Sequence, residues 1–148
     1  NDLVVVAWLR GITGIDVGQV ATTLPKPAED GTLSWADAGF LQAQVIPGGR
    51  PDVDGLGRHP VAQLDAWAAA PGSIKPPWNL AARLLELVRL ATEDGQLGRY
   101  GKPVTLPTGY SGARVLAAYL ISEPARVTDD PSGYARFTAD LVVDWAPA

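Results

Sequence analysis

Polar and apolar positions alternate most strictly near the C-terminus. In Tyr134–Trp145, YARFTADLVVDW, Ala135, Phe137, Ala139, Leu141, Val143 and Trp145 fall on one side, and Arg136, Thr138, Asp140 and Asp144 on the other. Val142 is the single apolar residue on the polar side. Side chains alternate across a strand, so the pattern predicts a strand with one buried and one wet face. The stretch exceeds the usual length of about five or six residues, so several neighbours must span it.

The same period recurs upstream. Phe40–Ile46 alternates Leu41, Ala43 and Val45 against Gln42, Gln44 and Ile46. Val61–Ala69 sets Val61, Gln63, Asp65 and Trp67 against Ala62, Leu64, Ala66 and Ala68. These two strands read as a hairpin whose tip is the glycine- and proline-rich loop 47–60. Arg114–Ser122, RVLAAYLIS, is apolar on both faces and reads as a central strand. A turn at Asp129–Gly133 leads from it into the terminal strand.

Two segments read as helices. Over Asn79–Asp94, Leu80, Leu84, Leu87, Val88 and Ala91 form an apolar stripe widened by Ala81 and Leu85. Arg83, Glu86, Arg89 and Glu93 hold the polar side, and Asn79 stands where an N-cap belongs. Leu3–Ile15 is ambiguous. Its three valines favour a strand, yet Leu3, Val6, Ala7, Arg10 and Thr13 share a helical side, with Asp2 as a cap and Gly14 as a stop. It is read as a helix, partly on the resemblance described below.

At 148 residues the chain suits one domain, spanning 1–148. It contains no cysteine, which excludes disulfides and thiolate metal sites. Methionine is also absent, so Asn1 is expected not to be the native start. The longest apolar run, Leu3–Leu9, is far short of the ~20 residues of a membrane helix, and it lacks the basic flank of a secretory signal. A net charge of −4 argues against a broad duplex-binding surface. Charge is uneven along the chain. Between Gly95 and Ser122 the charged residues are Arg99, Lys102 and Arg114, whereas Glu123, Asp129, Asp130, Asp140 and Asp144 dominate the C-terminal end.

Several motifs approach catalytic or binding patterns. Gly109-Tyr110-Ser111-Gly112-Ala113 is close to the nucleophile elbow G-x-S-x-G, but its last position is alanine and a strand is expected to follow. His59 is the one histidine available as a base. Asp52-Val53-Asp54-Gly55 has the start of a calcium loop without its later glutamate or flanking helices. Trp8, Trp35, Trp67, Trp78 and Trp145 could stack single-stranded nucleic acid, but no basic groove accompanies them, and core packing is the better reading. Neither a metal nor a catalytic set emerges.

The order of elements is thus helix, strand, long loop, strand, helix, long loop, strand, turn, strand. With VVVAWLRGITG near the start, GFLQAQVIPGGRPDVDGLGRHPVAQLDAWA in the middle and YLISEPARVTDDPSGYARFTADLVVDW at the end, the chain resembles the tail terminators of long-tailed bacteriophages. These are also called tail-completion or minor tail proteins. The resemblance implies an α+β subunit with an antiparallel sheet of about four strands and two helices packed on one face. It implies no catalytic residue, cofactor or metal. It further implies a hexameric ring at the head-proximal end of the virion tail, assembled in the host cytoplasm. Such a ring caps the tail-tube protein, stops its polymerisation and meets the head–tail connector, leaving a channel for DNA without sequence-specific binding. No membrane is involved.

The residues expected to make protein contacts lie on the two long loops: Arg50, Asp52, Asp54 and Arg58 on the first, Arg99, Lys102 and Tyr110 on the second. Other readings stay open. One is another connector or tail-tube subunit; another is a small hydrolase or ligand-binding domain, which would show a pocket with perturbed acids and bases.

Overall fold

The structure, a computed structural model, describes residues 1–46, 57–70, 75–94, 100–101, 103–128 and 130–147. Helix α1 is Asp2–Arg10 and helix α2 is Trp78–Asp94. Seven strands appear among the described residues. They are β1 (Val20–Ala21), β2 (Phe40–Val45), β3 (Val61–Ala68), β4 (Pro103–Val104), β5 (Ala113–Leu120), β6 (Ala125–Arg126) and β7 (Ala135–Pro147). They form one sheet in the order β1-β2-β3-β7-β5-β4, with β6 also on β7.

The expected antiparallel sheet of about four strands carrying two helices is therefore corrected. The sheet has nearly twice as many strands, and it is mixed, because β1 runs parallel to β2. Three of the strands are two residues long, too short to carry a periodic pattern. The sheet also curls into a half-barrel. Helix α1 touches β1 and β2 at one end of the strand order and β4 and β5 at the other. In a flat sheet β1 and β4 would lie five spacings, roughly 24 Å, apart. A helix is only about 10–12 Å across, so the ends must bend toward it.

Strand β7 is the spine. Along one side it pairs with β3 from Val61↔Val142 to Ala68↔Ala135, and farther on with Arg58 at Trp145. Along the other it pairs with β6 at Phe137 and Thr138, and with β5 from Leu120↔Leu141 to Ala113↔Pro147. Between β5 and β6 the Ser122 hydroxyl accepts the Asp140 N–H at 2.8 Å, so the gap in the ladder leaves no orphan donor there. The alternation read from the sequence holds along this strand: Ala135, Ala139, Leu141 and Val143 are buried in the main core.

That core takes Leu41 and Ala43 from β2, Ala62, Leu64, Ala66 and Ala68 from β3, and Val115 and Ala118 from β5. Helix α2 adds Ala81, Leu84, Leu85, Val88 and Ala91, while Leu80 and Leu87 of the expected stripe pack half-buried against them, and it begins one residue earlier than expected. Helix α1 adds Val4, Val5, Val6, Trp8 and Leu9, and it stops at Gly11 rather than Gly14. Each fully buried Leu or Val contributes roughly 1.5–3 kcal/mol.

Side chains hold the short edge strand in place. The Arg10 Nε and Nη2 both donate to the Val20 carbonyl, at 3.1 and 2.8 Å. The Gln19 amide donates to the carbonyls of Ala38 and Gly39 at 2.8 and 3.3 Å. Gly39 has φ +80°, and an added Cβ would stand 2.9 Å from Leu84 Cδ1 and 3.1 Å from the Trp67 carbonyl. A side chain there would crowd Leu84 of α2 and the Trp67 carbonyl at the end of β3 and would sit on a strained positive φ.

Candidate assembly surface

The described ends of the two long loops meet the same end of β7. Arg58, closing the first, exchanges backbone hydrogen bonds with Trp145 at 2.8 and 2.9 Å. Ala113, following the second, pairs with Pro147 on the opposite side of β7. Arg58 and Ala113 thus flank the last residues of β7. Of the seven expected contact residues, Arg50, Asp52, Asp54, Arg99 and Lys102 lie outside the described residues. Arg58 is half-buried, its side chain donating to the Gly57 carbonyl. Tyr110 is exposed in a turn whose N–H bonds the Pro107 carbonyl. Arg58 adjoins β7 on its β3 side, and Tyr110 lies in the segment that leads into β5 on the other side.

The outward face of the sheet divides into two regions. The first is polar and aromatic, and it is covered. Asp65, only 2% exposed, accepts from Arg136 Nε at 3.0 Å and from the Gln63 amide at 3.2 Å. Arg136 also meets Asp130 at 3.2 Å and stacks over the Trp67 ring at 4.9 Å from its centroid. Tyr134 packs edge-on against both Trp35 and Trp67. With Phe40, Ala36 and Ala69 these tryptophans make a second small core on this face. Burial alone would raise the pKa of Asp130. The Ser132 hydroxyl and N–H, together with Arg136, outweigh it and hold the carboxyl below its usual range. Asp65, Asp130 and Arg136 are all partnered, which describes a structural clamp rather than a reactive site, and the buried Trp35 indole N–H beside them has no hydrogen-bond partner.

The second region is apolar and bare. Leu116 and Tyr119 on β5 and Ile121 just beyond it are 54%, 48% and 55% exposed. A register shift between Val115 and Ala117 inserts Leu116 as a bulge, which turns an extra apolar residue outward. Tyr119 pairs with Val142, the one apolar residue on the polar side of β7, which is itself buried. The strand is therefore not central. It is next to the edge, and β4 covers only its first two residues. The signal was present in the sequence as a strand apolar on both faces, but it meant a naked outer face rather than burial. Beside Tyr119 and Ile121 lies a shallow cleft toward α2 that is bordered by Glu93 and Glu123.

A separate groove of about 560 Å3 runs between the outer side of α1 and the segment 103–107. Leu3, Ala7, Val17, Val104 and Pro107 line it, and Arg10 supplies a charge at its wall.

Catalytic chemistry finds no assembled set among the described residues. Gly109, with φ +98°, turns the chain ahead of Ser111, but strand β5 follows instead of the helix that a nucleophile elbow requires. The His59 Nδ1 lies 2.8 Å from Asp144 Oδ1, beside the β3 flank of β7, while Ser111 precedes β5 on the other flank. No group of three His, Cys, Asp or Glu among the described residues could hold a metal. The calcium-like Asp52–Gly55 lies outside them. The tryptophans pack: Trp8, Trp35 and Trp67 are buried, Trp78 lies edge-on to Phe137 beneath Arg126, and the Trp145 indole donates to Asn1. Among the described residues no helix is long and apolar enough to cross a membrane.

Compared with known proteins, the chain matches no family model and no curated protein.

Proposed function

We propose that this chain is a tail terminator of a long-tailed bacteriophage, a structural subunit that works by assembly and catalyses nothing. Six copies close into a ring at the head-proximal end of the tail, with assembly in the host cytoplasm. One face of the ring caps the tail tube and stops its growth, the other receives the head–tail connector, and DNA passes through the centre without sequence readout.

The observation that carries this reading is the bare apolar row Leu116, Tyr119 and Ile121 on the outward face of β5. Three large apolar side chains left uncovered on a rigid strand favour a surface that another polypeptide covers. Arg58 and Ala113, the described residues that close the two long loops, sit at one end of β7, where contact loops would be mounted on a rigid scaffold. The resemblance in element order and in the three sequence blocks selects the terminator among assembling proteins.

The curled seven-stranded sheet favours one further reading, a tail-tube or stopper-type connector subunit, since both are rich in strand. The 17-residue helix α2 weighs toward the terminator. Disrupting the gene in its phage separates the three. Loss of a terminator gives overlong tubes without heads. Loss of a tube subunit gives no tubes, and loss of a connector gives tails of normal length that fail to join heads.

A further inference from the structure

The molecule carries an apolar row and an apolar groove that share no residue. The row, Leu116, Tyr119 and Ile121, stands on the outward side of the sheet, because Tyr119 pairs with Val142 while its neighbour Leu120 pairs with the core residue Leu141. The groove opens on the side where α1 packs, between Leu3, Ala7 and Val17 and the segment Val104–Pro107. One surface projects and the other is concave, and they lie on opposite faces of one sheet.

We infer that the outward row of one copy seats in the α1 groove of the next, a head-to-tail contact between copies of this chain. The proposal rests on the ring reading above and names the contact that would close it. An isologous pair would need a single self-complementary patch. Two different complementary patches on one chain make a heterologous contact, which generates a ring when its rotation closes.

Charge points the same way. The row is bordered on its α2 side by Glu93 and Glu123. Arg89 on that side is already held by Glu86 and Glu93, which leaves acid in excess. The groove holds Arg10, exposed, whose Nε and Nη2 are pinned on the Val20 carbonyl, so its charge stays at the wall. An acid-bordered row meeting a cation-walled groove sets the direction of stacking and the register of the contact. A small-molecule site of this volume would converge several polar groups on its ligand, whereas this groove offers Arg10 and Thr105 in an otherwise apolar wall.

The absence of cysteine makes the contact directly testable. Tyr119→Cys and Ala7→Cys are prepared separately and treated with a short bis-maleimide, alone and mixed. The expected result is several-fold more cross-linked dimer in the mixture than in either variant alone, and a ladder of higher species from the double variant. Adding Leu116→Asp to the Tyr119→Cys chain, at a position already on the surface, abolishes the mixed dimer while the thermal melt stays unchanged. The inference is overturned if the mixture gives no more dimer than the single variants, or if Leu116→Asp leaves the cross-link intact. The ring reading fails separately, by the wild-type chain leaving tail tubes uncapped. Capping by wild type together with a failed cross-link would discard this contact alone.

Discussion

Arg136 on β7 reaches diagonally across the ladder to Asp65 on β3, with Nε 3.0 Å and Nη2 2.9 Å from the same carboxylate oxygen. In register Asp65 faces Thr138, and Arg136 faces Trp67, so the pair joins positions two residues apart on neighbouring strands. The Asp65 side chain is almost completely buried and that of Arg136 about one quarter exposed. A buried carboxylate in this setting depends on its partner. Arg136→Leu is expected to destabilise the fold by about 3 kcal/mol, because it strands the charge of Asp65 rather than merely removing an attraction. Urea unfolding measures this, and a loss below about 1 kcal/mol would contradict the clamp.

The second carboxylate on Arg136 gives a pH signature. Asp130 has its pKa held below the ordinary value, with burial opposed and outweighed by Ser132 and Arg136. A depressed folded pKa contributes stability above the unfolded value, about 3.9, and loses it as pH falls through the folded one. Asp130→Asn is therefore expected to be less stable than wild type at neutral pH, with the difference shrinking below about pH 4. A difference in unfolding free energy that stays constant across that window would refute the assignment.

Gly39 tests the close approach of β2, β3 and α2. Its positive φ costs a side-chain-bearing residue about 1–2 kcal/mol, and the Cβ would also overlap Leu84 and the Trp67 carbonyl. Gly39→Ala is expected to cost about 3 kcal/mol in total, with the overpacking adding to the strain. A thermal midpoint equal to wild type would show that the segment Ala38–Phe40 can move aside.

Leu141 tests the spine. It is fully buried where β7 is flanked by Ala62 of β3 and Leu120 of β5. Leu141→Ala is expected to cost about 2–5 kcal/mol through lost burial and the cavity left behind. A cost under about 1 kcal/mol would mean that the two halves of the sheet do not share one core.

Much of this architecture was legible because it is periodic. The alternation in β2, β3 and β7 fixed which residues face inward, and the stripe Leu84, Leu85, Val88, Ala91 fixed the face of α2. Strands β1, β4 and β6 were not legible, since two residues have no period, and β1 is held by Arg10 across a sequence separation of ten. The alternation in β3 places Asp65 on one face with Gln63 and Trp67 but does not say whether that face is covered. That face is in fact closed over Asp65 and Trp67 by Arg136, Trp35 and Tyr134, a tertiary cover that alternation cannot report. On β5 apolar residues on both faces suggested burial, and the outer ones are bare. Five of the seven expected contact residues lie outside the described residues, so the proposed assembly surface rests on the exposed Leu116, Tyr119 and Ile121, which were not among them.

The most direct test of the account is the length of tail tubes grown in the presence of this chain. Tube subunits polymerising with the added protein are expected to stop, each tube bearing a sixfold cap at one end under the electron microscope. Tubes that keep growing to the same lengths as without the protein, with bare ends, would contradict it.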